Sequence, residues 1–336
     1  MTDPSSLAAL TNGAAVVVRG DRGVIRVTGG DRATWLQGLL TNDVVGLAVG
    51  RGCYSAWLTP QGRMITDAVV LAEEDAVTLE VPGPIGEDLY RRLDAAIFAE
   101  DALLTDECGV WASIGVHGAR AAQIVARTLS SARAAIEPPD AATLAGWPEY
   151  ANAALNGAGR LLRHDVYGVP GYVVRVPHAA SDGWMSRLRL AGAVVTAAPS
   201  LEFARIEAGR PEFLIDMDAE TIPLEAGIGP RAISFTKGCY VGQEVIVRVV
   251  HRGGGRVARR LVGVRANGNQ VFPSKASLRH DGKDVGHITS AAWSPRLGAV
   301  VALAYVRREF VEPGTTLAVD CDGTPVPAVV SALPIA

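Results

Sequence analysis

Lys237-Gly238-Cys239-Tyr240-Val241-Gly242-Gln243-Glu244 places a cysteine beside a cation and between two glycines. A cysteine is a nucleophile or ligand only as thiolate, the form that a nearby ammonium favours. If Lys237 to Cys239 is extended, residues two apart point the same way, and ammonium and sulfur share a face. The glycines leave the backbone free to bend and to lie close against a ligand. The same residues equally fit a buried cysteine acting as a small hydrophobe in a β-turn.

Around that motif the bulk properties set bounds. A chain of 336 residues is too long for one typical core and predicts two or three domains. A hydrophobic fraction of 49% with 20% charged residues is that of a globular protein. The 32 basic and 35 acidic side chains leave a net charge of −3, so no global basic field draws in nucleic acid or an anionic membrane. The start, Met1-Thr2-Asp3-Pro4-Ser5-Ser6, lacks a secretory pattern, and no apolar run reaches the length of a membrane span; a soluble cytoplasmic protein is expected. Cys53, Cys108, Cys239 and Cys321 are scattered without zinc spacing, and the six histidines show no paired spacing, so no metal site is expected.

Along the chain, Ala15–Arg19 and Gly23–Val27 read as strands joined at Gly20-Asp21-Arg22, a hairpin signal. Asp31 offers an N-cap for a helix carrying Trp35, Leu36, Leu39 and Leu40. Tyr54–Leu58, Met64–Leu71 and Ala76–Val81 then read as strands, before a helix at Gly86–Phe98 whose Leu89, Leu93 and Ile97 form one stripe. A strand at Val110–Val116 and an alanine-rich helix at Ala119–Ala135 follow, then a punctuated loop from Glu137 to Gly159. Tyr172–Val176 is a strand, Asp182–Ala191 a helix and Val194-Val195-Thr196 a short strand; Ser200 caps a helix, Leu201–Ala208, closed by Gly209. Mixed elements of this kind predict an α+β fold. Beyond the hinge at Gly253-Gly254-Gly255, short strands between Gly, Asn and Pro turns predict a small barrel.

The order Leu201-Glu202-Phe203-Ala204-Arg205-Ile206-Glu207-Ala208-Gly209-Arg210-Pro211, Ile222-Pro223-Leu224-Glu225-Ala226-Gly227, the opening motif and His251-Arg252-Gly253 resembles the YgfZ family of folate-binding proteins. That family is related to the T-protein, the aminomethyltransferase of the glycine cleavage system. Thr41-Asn42-Asp43, Gly286-His287-Ile288-Thr289-Ser290 and Ser294-Pro295 extend the resemblance over nearly the whole chain. It implies a three-domain, GcvT-like α+β fold around a cavity for tetrahydrofolate. Residues 1–51 with 110–252 would form a discontinuous folate-binding domain, 52–109 an inserted ferredoxin-like domain, and 256–336 a C-terminal β-barrel.

By the same resemblance, Glu207 matches the carboxylate that holds the pterin, whose adjacent N–H groups a carboxylate can accept together; locally it is also a plain helix-end side chain. Tyr54 and Asp67 fall on a tyrosine near the folate and an aspartate assisting methylene transfer. Asp67 equally fits a strand-end turn contact, and its presence departs from a pure assembly-factor pattern. Lys237 has a T-protein counterpart and Cys239 has none. Arg231, Arg248 and Arg252 offer charge for the folate tail or for Cys239, or a solvated face.

The leading expectation is a folate-binding accessory protein supporting assembly or repair of iron–sulfur enzymes, with assembly proteins or client enzymes as partners. Cys239, activated by Lys237, would face the folate cavity or its mouth; a lone cysteine cannot hold a cluster needing four thiolates. One alternative is a tetrahydrofolate-dependent aminomethyltransferase using Asp67, and another a folate-binding interaction module without chemistry.

Overall fold

The computed structural model describes residues 4–132, 138–156 and 159–336. The end of the helix expected through Ala135 and part of the loop expected over 137–159 lie outside the described residues. After helix α1 (Pro4–Asn12) come β1 (Ala15–Arg19), β2 (Arg22–Thr28), α2 (Arg32–Leu39), β3 (Gly52–Leu58), β4 (Met64–Ala72), β5 (Val77–Pro82), α3 (Gly86–Asp94), β6 (Leu103–Asp106) and β7 (Trp111–His117). Next are α4 (Ala121–Ala132), α5 (Ala141–Ala145), β8 (Asn152–Leu155), β9 (Gly159–Arg163), β10 (Gly171–Pro177), α6 (Ser181–Leu190), β11 (Val194–Val195) and α7 (Glu202–Glu207). Short helices α8 (Gly229–Ala232) and α9 (Gln243–Val247) lead to strands β12 (Arg259–Asn267), β13 (Ser277–His280), β14 (Lys283–Ser294), β15 (Ala299–Arg307), β16 (Thr316–Cys321) and β17 (Thr324–Ser331).

The hairpin expected at Gly20-Asp21-Arg22 does not form. β1 pairs with β7 and β11, whereas β2 pairs with β5 and β6. The turn signal is local, but both strands bury apolar side chains, and each is hydrogen-bonded along both edges to strands from elsewhere in the chain. Two sheets result, ordered β11-β1-β7-β10-β9-β8 and β3-β4-β5-β2-β6. The division expected above therefore does not follow the sheets: β2, placed with the first domain, is hydrogen-bonded within the sheet of the unit expected at 52–109.

The sheets pack face to face. Tyr54, Ala56, Val69 and Leu71 of one meet Leu162 and Val173 of the other in a shared core. Residues one position out of phase, Ala68, Val70 and Leu79, turn to the far side and bury Trp35 and Leu36 of α2 and Leu89 and Leu93 of α3. Val16, Ile114, Val116, Tyr172 and Val174 cover the outer face of the second sheet against α4 and α6. With both faces covered, β4 is almost wholly buried, which is why it reads as a continuous apolar run.

The C-terminal strands close as a barrel, β12-β15-β14-β13-β16-β17. In β15 the alternation is complete: Val300, Ala302, Ala304 and Val306 fill the barrel, while Val301, Leu303 and Tyr305 pack outward against Ile206 of α7. α7 is short yet buried on nearly every side, its Phe203 and Ala204 meeting Ala9, Leu10, Ala15 and Val17. It joins the sheets to the barrel. The linker at 253–255 has left-handed φ at Gly254 (58°) and Gly255 (74°), where a side chain is strained. Gly209, with φ 64°, ends α7 as expected.

Candidate functional site

A cavity of ≈ 1030 Å³ opens where β1, the segment after β9, α7 and the barrel meet, lined among others by Arg19, Tyr167, Glu202, Arg205, Glu212 and Trp293. Arg19, Val166, Arg205 and Glu212 also line a smaller inner chamber of ≈ 50 Å³, whose walls include Tyr54, Asp67, Tyr150, His164, Arg210 and Arg231. The two spaces form one site with a wide outer part and a tight, charged interior.

Asp67 reaches that interior because β4 alternates. Asp67, Val69 and Leu71 share the inter-sheet face, and the first of them lies where the core gives way to the chamber. Tyr54 of β3 donates its hydroxyl to Asp67 Oδ2 at 2.8 Å, and Arg22 Nη1 lies 3.5 Å from Oδ1. Burial, and then Asp67 itself, hold the Tyr54 phenol well above its ordinary range, so it stays a donor. Arg231 stacks over the Tyr54 ring at 4.9 Å. Asn42 fixes both, its Nδ2 donating to the carbonyls of Tyr54 (2.8 Å) and Arg231 (2.9 Å). That is the role of Thr41-Asn42-Asp43: Thr41 Oγ1 also donates to Ala232 O at 2.6 Å. His164 stands 3.5 Å from Arg19 Nη1, and burial, then Arg19, push it well below its usual range, leaving it neutral.

Glu207 is not in this site. Its carboxylate accepts from Ser294 Oγ and from Arg296 Nε (2.8 Å), and its carbonyl accepts from Ile335 N at 2.7 Å. Ser294-Pro295 and Glu207 thus fasten α7 to the barrel. The carboxylate of α7 that does line the cavity is Glu202, five residues earlier and on a different face of the helix. A second fastening was not visible in the sequence. Asp216, buried, accepts from Arg205 Nη1 (2.6 Å), Thr289 Oγ1 (2.5 Å) and Ser290 Oγ (2.7 Å). A bulge in β14 inserts Thr289 and turns both hydroxyls the same way. Gly286 is required nearby, since a Cβ there would meet Tyr305 O at 2.0 Å. The signal for Asp216 was its position as a lone charge in Phe213-Leu214-Ile215-Asp216-Met217.

The opening motif also differs from expectation. Lys237 Nζ donates to the carbonyls of Gln37 (2.6 Å), Leu40 (2.6 Å) and Asn42 (2.9 Å), groups that the end of α2 leaves open. An ammonium has three donors, and all are taken. Lys237 is therefore not available to activate Cys239, and the thiol it faces electrostatically is that of Cys53. Burial pulls Lys237 down to about 8. Cys239 is exposed on a loop and lines neither part of the cavity. Gly242, at φ 84°, packs on the turn after β3, where a Cβ would lie 2.6 Å from Thr59 O; no ligand is needed to explain it. Arg248 and Arg252 are exposed, so of the three flanking arginines Arg231 alone lines the chamber. Among the described residues no cluster suited to a metal ion occurs, and no helix is long and apolar enough to cross a membrane.

An α+β pair of sheets joined by a buried helix to a closed barrel, around an arginine-rich cavity, defines the class of protein. Residues 7–237 match the GCVT N-terminal domain, and residues 259–335 match the glycine cleavage T-protein C-terminal barrel domain. The chain belongs to the glycine cleavage T-protein family, and its fold is GcvT-like. It is similar to an aminomethyltransferase of Nostoc sp., with 29% identity over 96% of this chain and 84% of the other. An aminomethyltransferase of Streptomyces coelicolor is 28% identical over 93% of this chain and 83% of its own length. The crystal structure of the glycine cleavage system aminomethyltransferase T from Bartonella henselae shares the fold, with TM-score 0.85 at 18% identity over 98% of this chain and 88% of that one.

Proposed function

We propose that this chain is a tetrahydrofolate-dependent one-carbon transferase of the aminomethyltransferase type, with Asp67 at the reacting centre. The observation that carries the reading is the buried Tyr54–Asp67 pair at the inner end of a cavity whose ≈ 1030 Å³ outer part has the size of a cofactor site. Tyr167 and Trp293 offer flat apolar walls to a pterin, and Glu202 and Asn269 offer hydrogen-bonding groups. Tetrahydrofolate would supply the nitrogens that receive the carbon unit. Asp67, held by Tyr54 and Arg22, would face positive charge developing beside it and would move a proton at its Oδ atoms. The aminomethyltransferase name of the relatives supports this choice over an accessory role.

The test combines calorimetric binding of tetrahydrofolate with folate-dependent ammonia release from an aminomethyl donor. Asp67→Asn is expected to lower kcat/KM by about 10²-fold or more while leaving folate affinity within a few fold. Full activity in that variant, or absence of folate binding by the native chain, would refute the proposal.

A second reading, an accessory to iron–sulfur enzymes acting with assembly proteins or clients, is favoured by one observation: Cys239 in the YgfZ-like motif is exposed and accessible to a partner. It requires that Cys239→Ser, and not Asp67→Asn, lowers iron–sulfur enzyme activity in cells.

A further inference from the structure

Among the described residues, three carboxylates line the outer part of the cavity: Asp21, Glu202 and Glu212. Two are engaged. Asp21 Oδ2 accepts from Arg19 Nη2 at 3.0 Å, and the two oxygens of Glu202 accept from Arg205 Nε at 3.1 and 3.0 Å. Glu212 is different. Its carboxylate accepts no hydrogen bond among the described residues, and the cation nearest to it, Arg205 Nε at 3.9 Å, already donates to Glu202. The segment that carries Glu212 is nonetheless fixed. Its backbone N donates to Asp216 Oδ2 at 3.0 Å, its carbonyl accepts from Asp216 N at 2.8 Å, and the adjoining Phe213 is buried in the core that the sheets share. A charge held in place, drawn partly out of water and left without donors is costly. Burial accordingly raises the Glu212 carboxyl above its ordinary range, against the opposing pull of Arg205. The position suits a ligand that brings its own N–H groups.

Place and size narrow that ligand. Glu212 also lines the inner chamber that holds Asp67, so it stands at the throat between the two spaces. The chamber, at ≈ 50 Å³, is too small for a bicyclic ring, which fits only the outer space and can present no more than an edge to the throat. An aminopyrimidinone edge carries a ring N–H and an exocyclic amine side by side, two donors matched to the two oxygens of one carboxylate. We propose that Glu212 recognises the pterin of tetrahydrofolate, accepting from its ring N–H and from its 2-amino group. This rests on the one-carbon transfer reading above. Glu212 thereby takes the role expected of Glu207, whose carboxylate is turned to Ser294 and Arg296 of the barrel. Guanine carries the same edge, so the test separates the two sources.

The probes are tetrahydrofolate, its 2-desamino analogue with hydrogen in place of the amine, and guanosine, each titrated into the full chain by calorimetry. Tetrahydrofolate should bind about tenfold or more tighter than the analogue, the effect of one hydrogen bond to a charged acceptor, and tighter than guanosine. In Glu212→Gln protein of native circular dichroism the side-chain amide sets a donor against a donor. Tetrahydrofolate should then weaken by about tenfold or more and the analogue far less, so that the preference collapses. Glu212→Asp, which keeps the charge but withdraws it by one methylene, should narrow the preference and decides the matter if the glutamine variant does not fold. Equal affinity of the native chain for the two folates, an equal loss for both in Glu212→Gln, a preference unchanged in both variants, or guanosine bound as tightly as tetrahydrofolate would overturn the proposal. Native protein that binds tetrahydrofolate without preferring it to the analogue defeats this inference alone. Native protein that binds no tetrahydrofolate defeats the functional reading as well.

Discussion

Asp67 is a buried carboxylate held by one phenol and one loosely placed guanidinium. Removing the phenol is therefore informative. Tyr54→Phe keeps the ring under Arg231 and leaves one Asp67 oxygen short of a donor, which costs about 1–3 kcal/mol. The urea midpoint should fall accordingly, and an unchanged midpoint would mean that solvent replaces the phenol. Buried His117 and half-buried His164 give the residue scale a pH dependence. Burial lowers His117 to about 3, with Arg19 adding to the effect, and His164 is also lowered. An unfolded histidine takes its proton near 6.5. As pH falls below 6.5, the unfolded chain binds protons that the folded chain refuses, and stability drops by about 1.4 kcal/mol per pH unit for each histidine. Urea midpoints at pH 7.5, 6.5 and 5.5 should decline, less steeply in His117→Gln. Tyr54 and Asp67 were legible as a pair because the resemblance aligned them. The link from Lys237 to Cys239 was not, because sequence spacing cannot show that three carbonyls almost 200 residues away compete for the ammonium.

Among the elements, α7 concentrates the most consequence in the fewest residues. Its side chains face the N-terminal core, the cavity, Asp216 and the barrel, so few positions on it tolerate change. Ile206→Ala should cost about 2–5 kcal/mol. Arg205→Met strips a buried carboxylate of its cation and should cost about 3–5 kcal/mol. Thermal unfolding measures both, and a loss below 1 kcal/mol for Arg205→Met would show that Thr289 and Ser290 suffice for Asp216. The helix itself and its Gly209 stop could be read from local pattern, as could β4, α3 and most barrel strands. The false hairpin at Gly20-Asp21-Arg22 shows the limit of that method. Turn chemistry predicts where a chain reverses or bends, while the choice of strand partner depends on which distant segments bury Val16 or Ile25.

At the scale of the molecule, barrel and sheets are held by the Glu207 and Asp216 fastenings, by Glu225 with Arg259 (3.0 Å), and by the apolar contact of Ile206. Glu207→Ala is expected to loosen docking without unfolding either part. Limited proteolysis should then cut faster at 253–255, and an unchanged cleavage rate would place the docking energy in the apolar contact alone. Barrel closure was legible from strand and turn pattern; the assignment of chain to sheets was not, because β1 and β2 diverge from one turn. That divergence also governs how the protein is made. β1 has no ladder until β7 emerges, about ninety residues later. At 5–20 residues per second, Val16-Val17-Val18 spends on the order of 5–20 s as an unpaired hydrophobic strand on the ribosome. During that interval Val16 and Val17 offer an apolar segment of the kind that holdase chaperones bind, which the folded chain buries.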